Sequence, residues 1–203
     1  MKILALIING ETTPSDIPEI DFQIVKTIDK QDEATIINKI IKEIDSQYTH
    51  IIILPNNNYL YDNYLSIIQE YYDNDQSLYL PLISLSDNSN VFKGILNSSI
   101  WWPSLVQDPG VLDKQGALMQ LDTTIYGGLI PIKILQKYNF KKDLNIFYQF
   151  EFLNKILSKK VNVIGVPKIL ASVSFDYSLE KIDKEEKIKL FENARKDYQP
   201  KEV

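Results

Sequence analysis

Few side chains in this sequence could do chemistry, and their types narrow the field early. There is no cysteine and a single histidine, His50. That removes thiolate zinc sites, disulfides, cysteine nucleophiles, multi-histidine metal centres and any triad without His50. His50 itself opens an apolar run, which fits a satisfied or edge histidine. Proton transfer then falls to carboxylates. Glu151 stands in the aromatic-rich stretch Phe147-Tyr148-Gln149-Phe150-Glu151-Phe152-Leu153. Asp122 precedes Thr123-Thr124, close to Gly127-Gly128, and Asp108 and Asp113 lie upstream. Turn and capping roles compete for these aspartates, and holding a neighbouring loop is the competing role for Glu151. Gly127-Gly128 allows close backbone approach to a ligand. Trp101-Trp102 offers flat apolar faces that suit a sugar ring, a plug onto the core or a protein contact. Asn56-Asn57-Asn58 puts neutral amides in one turn, and Asn9-Gly10 favours a tight turn.

These residues need elements to position them. Thr49 to Leu65 reads THIIILPNNNYLYDNYL. The run Ile51-Ile52-Ile53-Leu54 has no polar alternation, which suits a strand buried on both faces of a parallel sheet. Pro55 should end it, and the asparagines can turn the chain into a helix opening near Tyr59. Ile3 to Ile8 predicts a first buried strand, turning at Asn9-Gly10, and Phe22 to Ile28 a second. Asp32 caps a helix in which Ala34, Ile37, Ile40, Ile41 and Ile44 recur at helical spacing. Downstream, Leu78 to Leu85 predicts a strand, with Pro81 arguing for an edge or irregular position. Ser86 to Gly116 is irregular and longer than ordinary connections, and such segments are often functional. A strand over 117–124, a short helix over 130–138, a helix over 144–157 and a strand over 161–166 ending at Pro167 follow. The layout is α/β, and ligands in such folds gather at the carboxyl ends of the strands.

Composition sets outer bounds. The 203 residues fit one domain over 1–175 with a charged helical tail over 176–203. A net charge of −5 disfavours nucleic acid and anionic membranes as partners. No apolar run reaches the length of a membrane span. Met1-Lys2 leads into only a short apolar run, so no secretory signal is expected and the chain reads as cytoplasmic. No phosphate-loop signature or zinc-ligand spacing occurs.

Three pieces carry a resemblance. They are the helix, strand, polar turn and helix over 34–68, then Tyr126-Gly127-Gly128-Leu129-Ile130 with its short helix, and then the 147–153 stretch followed by Val161-Asn162-Val163-Ile164-Gly165-Val166-Pro167. In this order they resemble the nucleotide-sugar transferases of glycosyltransferase family 2. The resemblance implies a GT-A-like single domain with a mixed, mostly parallel sheet flanked by helices. It also implies transfer of a sugar from a nucleotide donor to a hydroxyl acceptor. On it, Asn9 and Asn56 to Asn58 would contact the donor, and Lys133 would steady the leaving diphosphate. Trp101, Trp102, Gly127, Gly128 and Gln149 would face the acceptor or a partner, and Glu151 or Asp122 would be the base.

The departures fall on the chemistry. Where the family has an aspartate-rich turn for a divalent metal, this chain has Leu54-Pro55-Asn56-Asn57-Asn58. Neutral amides hold Mg²⁺ or Mn²⁺ far less well than carboxylates, so transfer would need little or no metal. Counting back from Pro167 puts Gln149 at the base position, and glutamine takes no proton. A register shifted by two makes Glu151 the base candidate. The second reading is therefore a GT-A-fold module without catalysis, bound to other protein subunits of a larger assembly such as a virion. The Ile, Asn, Lys, Tyr and Asp bias is compatible with a phage origin.

Overall fold

The computed structural model describes residues 1–11, 17–27, 33–55, 58–87, 91–97, 110–111, 124–142, 144 and 147–174. Strands β1 (Ile3–Ile8), β2 (Ile20–Val25) and β3 (His50–Pro55) are parallel, with β1 in the centre. Every residue of β1 and β3 is buried, which is why both read as unbroken apolar runs. Helix α1 (Glu33–Glu43) makes the crossover from β2 to β3 and packs Ala34, Ile37 and Ile41 inward. Two residues antiparallel to β3, β8 (Ile130–Pro131), complete this sheet in the order β2-β1-β3-β8.

A second sheet carries β4 (Tyr59–Leu60), β5 (Leu78–Ser86), β6 (Phe92–Leu96), β7 (Gly110–Val111) and β9 (Val163–Ser174). Its order is β4-β9-β5-β6, with β7 also on β9. β5 and β9 are parallel, and the other pairings are antiparallel. The segment 127–131 joins the two sheets. Gly127 N–H reaches Ile53 C=O at 3.0 Å, and Leu129 exchanges both backbone bonds with Tyr79 at 2.9 and 3.0 Å. Helices α2 (Tyr64–Tyr71), α3 (Ile132–Lys137) and α4 (Tyr148–Ser158) flank the sheets. The expected mixed α/β architecture is what forms.

Several boundaries differ from the sequence expectation. The helix expected from Tyr59 begins at Tyr64, because Tyr59 and Leu60 first pair with Ser172 and Ala171 of β9. β9 does not stop at Pro167. Val166 pairs with Pro81 and Ile169 with Leu82, so Pro167 and Lys168 bulge and the strand resumes. β5 is an interior strand, but its register slips at Pro81, matching the irregular position that proline requires. The irregular stretch after Ser86 contains β6, which folds back on β5. The strand expected over 117–124 and the charged tail over 176–203 lie outside the described residues, except for Thr124.

Candidate functional site

The carboxyl ends of β2, β1 and β3 are level, since Ile8 pairs with both Val25 and Pro55. Everything leaving that edge is a candidate wall of the site. Asn9 turns out of β1 at φ 60°, a left-handed conformation that asparagine tolerates better than most residues. Its Oδ1 accepts Thr27 N–H at 2.8 Å, and its Nδ2 meets Thr27 Oγ1 at 2.7 Å. Asn9 therefore clamps the β1 and β2 ends together. Beside it the exposed Lys26 donates Nζ–H to Gly10 C=O at 2.6 Å and puts a positive charge on this edge.

Asn58 is the described member of the asparagine turn, with Asn56 and Asn57 outside the described residues. It is 1% exposed. Its Nδ2 donates to Pro55 C=O at 2.6 Å, and its Oδ1 accepts Ser174 N–H at 2.6 Å. The amide thus pins the end of β3 to the end of β9. An oxygen already engaged in this way is a poor ligand for a hard cation. Among the described residues no three His, Asp or Glu side chains converge on one point.

The next wall was not signalled by the sequence. Glu33, in the first turn of α1, is buried, and its Oε2 accepts from the hydroxyls of Tyr126 and Tyr148, each at 3.3 Å. A first-turn glutamate ordinarily reads as a complement to the helix dipole, and its tyrosine partners come from distant segments. Next to Tyr126, Gly127 holds φ 66°, and a Cβ there would stand 2.8 Å from Ala171 Cβ. A Cβ on Gly128 would stand 2.8 Å from Leu80 Cδ2. Both glycines are buried, and the atoms a Cβ would meet there belong to the core. The Tyr64 hydroxyl, fully buried and driven up in pKa by desolvation, donates to Gly127 C=O at 2.8 Å.

Gln149 and Glu151 diverge. Two residues apart on a helix, they point about 200° from one another. Gln149 Oε1 accepts the Thr124 hydroxyl at 2.6 Å and Ile125 N–H at 3.1 Å. Glu151, 1% exposed, has Oε1 paired with Lys155 at 3.0 Å, and Lys155 also donates to Asn139 C=O at 2.9 Å. Among the described residues Glu151 Oε2 has no hydrogen-bond partner. Lys133 is not brought to the site. It is the second residue of α3, which starts directly after Pro131, and Pro131 pairs with His50 at the amino end of β3. That is about 16 Å of strand away from Pro55. Its ammonium is exposed and 3.7 Å from Asp75. Asp122, Trp101 and Trp102 lie outside the described residues.

No protein-family model matches the chain, and no curated protein matches it. A solved structure does: S. aureus TarS 1-349 in complex with UDP, at TM-score 0.59 and 9% identity, over 99% of this chain and 67% of TarS. The likeness establishes a glycosyltransferase-like, GT-A-like fold. Among the described residues no helix is long and apolar enough to cross a membrane.

Proposed function

We propose that this chain is a glycosyltransferase-like protein that binds a nucleoside-diphosphate ligand, of the nucleotide-sugar class, at the carboxyl ends of β1, β2 and β3 without ordinary metal-dependent sugar transfer. One observation carries the reading. At the two places where the resemblance expects acidic groups, Asn58 and Gln149 spend their amide oxygens on Ser174 N–H and on Thr124 and Ile125. Neither oxygen belongs to a base, and neither is set to hold a cation. The UDP bound by TarS motivates the ligand class. Lys26, beside Asn9 and Gly10, supplies a cation for a diphosphate in place of a metal. In an assembly, such a domain would present its ligand site or its loops to other protein subunits.

Isothermal titration with UDP- and GDP-sugars, each with Mn²⁺ and with EDTA, tests this. The expected result is binding of at least one donor, unchanged by EDTA, and no release of nucleoside diphosphate. Mn²⁺-dependent turnover would reject the reading, as would failure of the whole donor panel to bind. Glu151 Oε2, without a hydrogen-bond partner among the described residues, favours a second reading, metal-independent transfer with Glu151 as base. On that reading donor turnover occurs in EDTA, and Glu151→Gln abolishes it while leaving donor affinity intact.

A further inference from the structure

Asn97 and Thr124 flank residues 98–123, an excursion of which Gly110–Val111, paired with β9, is the described part, and the two flanks meet at one point. Asn97 closes β6 at φ 62° and is fully buried. Its Nδ2 donates to Pro81 C=O at 2.9 Å, and its Oδ1 accepts Thr124 N–H at 2.8 Å. The outgoing root is thereby tied to the returning one. Thr124 then gives its hydroxyl proton to Gln149 Oε1 at 2.6 Å, and the same oxygen accepts Ile125 N–H at 3.1 Å. Thr124 Oγ1 accepts Tyr126 N–H at 3.1 Å, which closes the knot.

We propose that Gln149 is a positioning residue that anchors the returning root of this excursion and couples it to the strand-end site. The coupling is short. Thr124 and Ile125 rest on Gln149, Tyr126 reaches Glu33, and Gly127 bonds Ile53 C=O and accepts from Tyr64. Any shift of Thr124 must be absorbed within this run or passed to the end of β3. Gln149 is a firm anchor because its neighbours on α4, Tyr148, Phe150 and Phe152, are all buried. Withdrawing its oxygen leaves two buried donors without an acceptor, which is costlier than never having made the bonds. The coupling holds whether or not the site binds a nucleotide.

In Gln149→Leu, amide exchange at Thr124 and Ile125 should quicken about tenfold or more, as a buried acceptor is withdrawn, and exchange at Gly127, whose N–H bonds Ile53 C=O in β3, should quicken with it, while β1 amides keep their rates. Gln149→Glu retains an Oε oxygen in place and should restore slow exchange at Ile125. If Gln149→Leu does not fold, Thr124→Val removes the hydroxyl donor and should give the same local effect. Exchange that is unchanged at Thr124 and Ile125 or at Gly127, exchange that quickens uniformly through β1, or a Gln149→Glu variant that behaves like Gln149→Leu would each overturn the proposal.

Discussion

Replacing Asn58 by aspartate separates a structural amide from a lapsed metal ligand. In the native protein Asn58 Nδ2 donates to Pro55 C=O and Oδ1 accepts from Ser174 N–H, both at 2.6 Å, with the side chain 1% exposed. Asn58→Asp keeps the acceptor but turns the donor into a second oxygen facing a carbonyl. A protonated acid could still donate to Pro55 C=O, while an ionised one would repel it. Burial and the carbonyl therefore raise the folded-state pKa of the new acid above its unfolded value. A group shifted upward contributes fully below the unfolded pKa and loses its contribution as pH rises. At pH 7 the folded protein can always bind the missing proton, across about three pH units at ~1.4 kcal/mol each, which caps the charge penalty near 4 kcal/mol. The lower bound is the orphaned Pro55 carbonyl, about 1 kcal/mol. We expect a loss of ~2–4 kcal/mol at pH 7, or roughly 10 °C in Tm for a chain of this length. At pH 4 the loss should shrink below ~1 kcal/mol. Thermal melts at both pH values, with and without Mn²⁺, make the measurement. A variant as stable as the parent at pH 7, with a Tm raised by Mn²⁺, would refute the argument. It would mean that the side chain can leave Pro55 and Ser174 and serve as a ligand.

Two further outcomes follow from buried groups. His50 is 1% exposed, with Tyr72 edge-on to its ring, and burial holds its pKa at about 4 against an ordinary 6.5. A histidine lowered in the folded state stabilises it above the unfolded pKa, and that contribution is lost as pH falls from 6.5 toward 4. Urea midpoints should therefore drop between pH 7.5 and 4.5 by the equivalent of roughly 3 kcal/mol, and His50→Leu should flatten that dependence. Gly127→Ala forces a side chain into φ 66° with its Cβ 2.8 Å from Ala171 Cβ. The left-handed backbone costs ~1 kcal/mol and the overlap ~1–3 kcal/mol, a total of about 2–4. Adding Ala171→Gly should recover the overlap component and leave the backbone component. Strict additivity of the two substitutions in denaturant titrations would show that the contact is not what costs.

How much was legible in the sequence depended on how local each cause was. β1 and β3 were readable because a strand buried on both faces needs nothing beyond its own apolar run. β4 was not readable, because Tyr59 and Leu60 are a strand only through Ser172 and Ala171, far downstream. Pro167 was read as ending its strand, and Pro81 as an edge or irregular position. The two prolines instead fall at the same slip in the β5–β9 register, where the ladder does not require their missing N–H groups. Lys133 drew attention by its charge, but the antiparallel pairing of Pro131 with His50 fixes it at the wrong end of the sheet. Glu33 drew none, although two tyrosine hydroxyls converge on it. The amides were readable as departures from an acidic pattern, yet the sequence could not say what had replaced the acids' role. The hydrogen bonds answer that for Asn58 and Gln149. Each supplies a buried acceptor to backbone N–H groups from a remote segment, and Asn58 also supplies a donor. An ionised carboxylate could have accepted the same N–H groups, but it could not have donated to Pro55 C=O. At Asn58 the amide is therefore the chemically required group, which argues for a role in holding the sheets together and not for a merely eroded site.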